Sequence, residues 1–127
     1  MPDATWCAAE PFAWSATGIE PIRQLYRRLC AKFTFFFTMG HSPVIQVSGD
    51  QAKARWQMHE VGQCPDPNEG MTNYGVYEDE LVLTPQGWRF QKREFRFYYL
   101  DKAPLCGSSV PIAPASFIVP AAHKNAS

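Results

Sequence analysis

The chain has 127 residues, with 12 Lys plus Arg against 12 Asp plus Glu, so its formal net charge is zero. That length supports one domain, which buries roughly two-thirds of the surface its unfolded chain exposes. Balanced charge removes the long-range positive field that non-specific nucleic-acid binding needs, so no nucleic-acid partner is expected.

The first predicted element is a β-hairpin, in which Asp3–Ala8 and Phe12–Ser15 flank the turn-forming pair Glu10-Pro11. Thr17-Gly18-Ile19-Glu20 follows, with the capping-box pattern of a helix start. From there Ile22, Leu25, Tyr26, Leu29, Cys30 and Phe33 recur at helical steps, while Arg23, Gln24, Arg27, Arg28 and Lys32 take the other face. Such an amphipathic helix has to lie on a sheet or on another helix.

After Phe33 the apolar period drops from 3.6 to 2. Thr34–Val47 is a run of β-formers with a bulge or bend expected at Gly40-His41-Ser42-Pro43. Ser48-Gly49-Asp50 turns the chain into a strand over Gln51–Val61, where Ala54, Trp56 and Met58 alternate with Arg55, Gln57 and His59. Prolines and glycines make residues 62–73 a predicted surface loop. Tyr74–Thr84 alternates again, Thr84-Pro85-Gln86-Gly87 turns, and Trp88 to Tyr99 forms a last strand with a change of phase, hence a bulge, near Glu94. Residues 1–107 therefore read as a single α+β domain: a curved, mostly antiparallel sheet with one main helix packed on it. Residues 108–127 read as an extended Pro/Ala/Ser-rich arm.

Two basic clusters, Arg23, Arg27, Arg28 and Lys32, then Arg89, Lys92, Arg93 and Arg96, sit on strongly periodic segments and read as solvated faces. The cysteines Cys7, Cys30, Cys64 and Cys106 show no metal-ligand spacing, so no metal is expected, and free thiols fit a cytoplasmic location. No apolar run approaches the roughly 20 residues that span a bilayer, so no membrane partner is expected. The start Met1-Pro2-Asp3 lacks the basic residues of a secretory signal. Serines 42, 108 and 109 lack the Gly-x-Ser-x-Gly turn of a serine nucleophile.

Several blocks together carry a resemblance. Pro2-Asp3-Ala4-Thr5-Trp6 opens the chain, and His41 leads into Val44-Ile45-Gln46-Val47-Ser48-Gly49-Asp50-Gln51-Ala52. Gly75 to Leu81 with Gly87-Trp88-Arg89-Phe90, and Phe95 to Asp101, complete the set. In order and spacing they resemble the SnoaL-like branch of the superfamily named after nuclear transport factor 2, over nearly the whole chain through Gly107. The resemblance implies a cone around an apolar pocket. Its members include dehydratases, cyclases, isomerases and hydrolases of polyketide-like, steroid-like or terpenoid molecules, usually without a cofactor, and others with no chemistry at all.

That resemblance places His41 at a strand bend where relatives carry a pocket histidine able to move a proton; a structural role in the bend is the alternative. Tyr77 and Asp79 share one strand face, so an inward Tyr77 brings in a carboxylate suited to proton transfer. The opposite phase puts Glu78 and Glu80 inward, and alternation alone leaves both open. The expected set is thus His41 and Asp79 as proton-transfer groups with Tyr77 as hydrogen-bond donor. Trp6, Trp14, Phe35, Phe37, Trp56, Trp88 and Phe97 are expected in the ligand wall. His59 is a further candidate, although it alternates with Trp56 and Met58 and so reads by default as a rim histidine. His123, in the arm, is given no role.

Relatives of this type begin with one or two further helices that close one side of the cone, whereas Met1 here stands almost at the first strand. The expectation is an open pocket, a longer natural protein, or a second copy covering that side as a homodimer or higher homo-oligomer. The function expected is cofactor-independent lyase or isomerase chemistry on a small hydrophobic oxygenated molecule. A non-catalytic binding or assembly module is the alternative.

Overall fold

The change of apolar period after Phe33 is a boundary in three dimensions too: in the computed structural model, which describes residues 1–110, one helix lies before it and four long strands after it. Among the described residues the order is β1 (Thr5–Ala8), β2 (Ser15–Thr17), α1 (Ile19–Cys30), β3 (Phe35–Ser48), β4 (Gln51–Gln63), β5 (Gly70–Thr84) and β6 (Gly87–Asp101). They form one sheet in the order β2-β1-β6-β5-β4-β3, antiparallel except for the parallel β1–β6 pair. Strands of 13 to 15 residues do not stay flat, because right-handed twist accumulates along them and bulges bend them further. The fold is α+β, with a curled sheet and one helix. No helix among the described residues is long and apolar enough to cross a membrane.

Three sequence expectations change in detail. The capping box does not form: Gly18 is the N-cap with no side-chain hydrogen bond, because the Thr17 hydroxyl is engaged by Thr5 across the hairpin at 2.8 Å. Glu20 instead faces Arg23 at 3.6 Å. The loop predicted over 62–73 shrinks to the stretch between Gln63 and Gly70, because β4 and β5 run on and pair up to Gln63 opposite Gly70. The Gln63 amide holds that loop, donating to the carbonyls of Cys64, Asp66 and Glu69 and accepting from the Leu105 amide. Finally, the phase change on β6 lies at Gln91, where the register steps from Lys92 to Phe90, rather than near Glu94; a second step falls at Tyr98.

The bend on β3 is where the sequence put it. The register shifts between His41 and Val44, and Ser42 adopts a φ of 51°. The expected arm begins at 108, and its residues from 111 onward, His123 included, lie outside the described residues. The core sits on one face of the sheet: Ala8, Tyr77 and Phe95 are buried, with Trp6, Trp14, Trp56, Met58 and Phe97 packed around them. Full burial of a side chain such as Phe95 is worth about 2–3 kcal/mol. At the end of the helical segment, Phe33 lies directly over Gly62, where an added Cβ would stand 2.7 Å from the ring. A glycine there lets the helix end rest on the sheet.

Candidate active site

Strand pleat decides which side chains meet. Asn73, Gly75, Tyr77 and Asp79 share one face of β5, opposite Glu60, Met58, Trp56 and Ala54 of β4. On β6 the facing partners are Phe97, Phe95 and Arg93, and on β3 they include Phe36 and Thr38. Trp6, Trp14 and the side chains of α1 cover this face and leave a cavity of about 370 Å³. The wall is mainly apolar, built from Trp6, Trp14, Phe36, Met58, Phe95 and Phe97 among others, and Lys32, Thr38, Glu60, Asn73, Tyr77 and Arg93 interrupt it. Few polar groups converging in an apolar hollow is the common form of a small-molecule site.

Glu60 is held from two sides. The Asn73 amide donates to Oε2 at 2.8 Å and the Thr38 hydroxyl to Oε1 at 3.3 Å. Asn73 is fully buried, yet its own carbonyl oxygen has no partner among the described residues. Tyr77 lies deeper, and burial first, then the nearby Glu60 charge, push its phenol up to about 12. At neutral pH Tyr77 is therefore a hydrogen-bond donor. The Trp6 indole N–H lies beside the Tyr77 oxygen and eases the phenolate, without completing a hydrogen bond of good geometry.

Asp79 plays a different part from the one expected of it. Its side chain has no exposure and accepts two hydrogen bonds from Arg93, Nε to Oδ1 at 2.8 Å and Nη2 to Oδ2 at 3.0 Å. A buried carboxylate in this bidentate clasp is a partner and not a free base. The Arg93 guanidinium also stacks between the rings of Tyr77, 4.2 Å away, and Phe90, 4.5 Å away. Arg93, read from the sequence as part of a solvated face, instead lines the cavity with Asp79 fixing its orientation.

His41 is not in this cavity. It pairs with Gln57 on β4, which puts it on the opposite face from Trp56 and Tyr77, and it is exposed. His59 also belongs to that outer face, stacked on Tyr74 at 4.5 Å. The β3 aromatics are out of phase by one residue: Phe36 faces inward, while Phe35 and Phe37 point the other way. Trp6, Trp14 and Phe97 line the cavity; Trp56 packs behind it against the core, and Trp88 is partly exposed and outside the lining. Of the expected trio, only Tyr77 reaches the cavity itself.

A larger groove of about 540 Å³ runs over the outer face between Lys53, Arg55, Glu78, Glu80, Lys92, Glu94 and Arg96. Many of its charges are already paired, Glu78 with Arg55 and Arg96, and Glu94 with Lys92 and Arg96. A groove whose charges answer one another has little left for a ligand, so the smaller inner cavity is the better site. Among the described residues no group of three His, Cys, Asp or Glu side chains is placed to hold a metal ion, and all four cysteines are free.

Glu60, Asn73, Thr38, Lys32 and Arg93 are among the cavity residues that the sequence reading missed. For Glu60 a signal existed, because it shares the period-two face of Trp56 and Met58. Asn73 was hidden by the Pro- and Gly-rich stretch that reads as a loop.

Comparison with known proteins agrees with this architecture. The sequence pattern of the SnoaL-like domain matches residues 2–94. No curated protein is similar enough in sequence to match the chain. Among solved structures, hexachlorocyclohexane dehydrochlorinase LinA-type3 from Novosphingobium barchaimii is similar at 23% identity and a TM-score of 0.72, over 88% of this chain and 76% of that one. A proposed aromatic ring hydroxylase from Novosphingobium aromaticivorans gives 20% identity and 0.72, over 81% and 73%. A proposed scytalone dehydratase from the same species gives 21% and 0.65, over 87% and 76%. These likenesses establish a shared fold.

Proposed function

The chain belongs to the SnoaL-like family, and from that premise we propose that its inner cavity performs cofactor-independent lyase or isomerase chemistry on a small hydrophobic oxygenated molecule. The observation that carries the proposal is the carboxylate of Glu60, held by Asn73 in an apolar cavity that also contains the protonated phenol of Tyr77. Glu60 takes the proton from a carbon conjugated with a carbonyl. The electron pair moves toward the carbonyl oxygen, where the Tyr77 hydroxyl stabilises the developing charge. Collapse of that oxyanion either expels a leaving group, which departs with the proton from Glu60, or returns the proton to another carbon. Arg93, neutralised by Asp79, adds a fixed dipole to the same wall. LinA-type3, a dehydrochlorinase, and the proposed scytalone dehydratase are both named for eliminations, which supports the reaction class.

The test needs no natural substrate. In D2O, the methyl ketone protons of 2-acetylnaphthalene exchange for deuterium faster with the protein present, and NMR follows the exchange. Glu60→Gln lowers the catalysed rate by about 100-fold or more, and Tyr77→Phe by about 10-fold or more, with the fold retained. Exchange that proceeds at the wild-type rate in Glu60→Gln sinks the reading.

A second reading concerns assembly. Beyond the cavity, Ile45 and Val47 of β3 and Phe90 of β6 belong to the inner face yet are 55%, 63% and 42% exposed. We propose that a second copy covers this end in a homo-oligomer. Sedimentation equilibrium tests it, since a monomer throughout the micromolar range ends this reading and leaves the catalytic one standing.

A further inference from the structure

The charged side chains that line the cavity are Lys32, Glu60 and Arg93, and they are not neutralised alike. Arg93 is clasped by Asp79 through two hydrogen bonds, at 2.8 and 3.0 Å. Glu60 accepts from Asn73 and Thr38, both uncharged, and stays the free base of the proposed reaction. Lys32 makes no ion pair among the described residues, and residues 111–127 contain no Asp or Glu that could supply one. The ordinary use of a basic residue at the end of a helix is to meet its last carbonyls. Here the backbone has met them already, since the amides of Ala31, Lys32 and Phe33 donate to the carbonyls of Arg27, Leu29 and Cys30.

Lys32 is exposed and yet lines the cavity, so it stands at the mouth. Its neighbour Phe33 covers Gly62, and strand pairing sets Gly62 beside Phe36 and Met71 in the row of lining residues nearest that mouth. One row further in come Glu60, Thr38 and Asn73; Tyr77 and Phe95 lie deeper. From the mouth inward the order is therefore ammonium, carboxylate, phenol. The proposed reaction seats a carbonyl oxygen at Tyr77 and the acidic carbon at Glu60, so a chain attached to that carbon on its far side points to the mouth.

We propose that the substrate is an amphiphilic carboxylate, with its apolar body in the cavity, its carbonyl between Tyr77 and Glu60, and a short side chain that ends in a carboxylate beside Lys32. The proposal rests on the proton-transfer reading of this cavity and deepens it by naming the charged end of the ligand. Lysine presents one compact charge without the planar fork of arginine, which suits a monoanion at a wet rim. An exposed ammonium contributes modestly and is screened by salt, so Lys32 sorts substrates and does not drive the reaction.

Isothermal titration calorimetry with two probes of the same shape tests this: 4-(2-naphthyl)-4-oxobutanoate and its uncharged amide, 4-(2-naphthyl)-4-oxobutanamide. At low salt the acid binds about three- to fivefold more tightly than the amide, and added sodium chloride narrows the gap. Lys32→Gln removes the preference, and Lys32→Arg, which keeps the charge, restores it. Lys32 is exposed, so neither substitution costs the fold. Equal affinities of the two probes for the wild type, or no binding by either, overturn the proposal. A preference for the acid that survives Lys32→Gln overturns it too, and puts the anion beside Arg93. The exchange assay with 2-acetylnaphthalene, which carries no charge, tests proton transfer separately, so either reading can fail while the other stands.

Discussion

The two faces of the sheet use the same residue types for different ends. Asp79 and Glu78 are neighbours on β5, and each meets arginine: Asp79 meets Arg93 under the cavity, with its side chain wholly buried, and Glu78 meets Arg55 and Arg96 on the outer face with 43% of its side chain exposed. Pleat alone separates them. Inside, desolvation makes the pairing obligatory, because removal of one partner strands the other's charge. Outside, water screens whatever the pair gains. Removing a carboxylate from each face gives the largest contrast. Asp79→Ala loses about 3–5 kcal/mol of unfolding free energy, as for other broken buried pairs. Glu78→Ala loses under about 1 kcal/mol. Urea denaturation measures both, and similar losses would erase the distinction between the faces.

Tyr77 sharpens the same contrast through pH. The unfolded chain releases a tyrosine proton near 10, whereas the folded protein holds that of Tyr77 until about 12. The unfolded state therefore binds fewer protons between those values, so the contribution is fully present below pH 10 and is lost as pH rises toward 12. The loss amounts to about 2–3 kcal/mol for a shift of this size. Tyr77→Phe, measured beside the wild type across this range, has a correspondingly flatter stability profile. Tyr98, on the outer face, accepts from Arg55 at 2.6 Å and is well exposed.

Much of the architecture was legible because period and turn chemistry are local. The helical stripe from Ile22 to Phe33, the β3 bend beside Pro43 and the Thr84–Gly87 turn all announce themselves within a few residues. The site was less legible because it depends on phase, and phase is set across strands. Phe35 and Phe37 are as aromatic as Phe36, and only pairing with Gly62 and Glu60 turns Phe36 and Thr38 inward. Asn73 follows two prolines and two glycines and so reads as loop, yet the pairing of Gly70 with Gln63 carries the strand through it into the buried interior. Arg93 and Asp79 are ordinary charges until the register sets them opposite each other. The capping box shows the reverse case, a valid local signal overridden when Thr5 took the Thr17 hydroxyl first.

The smallest expected effect is also the one that separates the faces most directly in function. The resemblance to the SnoaL-like family makes His41, at a strand bend, an expected proton-transfer group. Its pairing with Gln57 nevertheless turns it to the exposed outer face, away from Glu60 and Tyr77. A histidine without partners in the site has no proton to relay there, and an exposed residue at a bend contributes little to packing. His41→Ala therefore changes unfolding free energy by no more than about 0.5 kcal/mol. It also leaves the catalysed deuterium exchange of 2-acetylnaphthalene at the wild-type rate. If exchange instead falls with His41 and survives the loss of Glu60, the reacting groups sit across the sheet from the cavity, and the inner face is only a core.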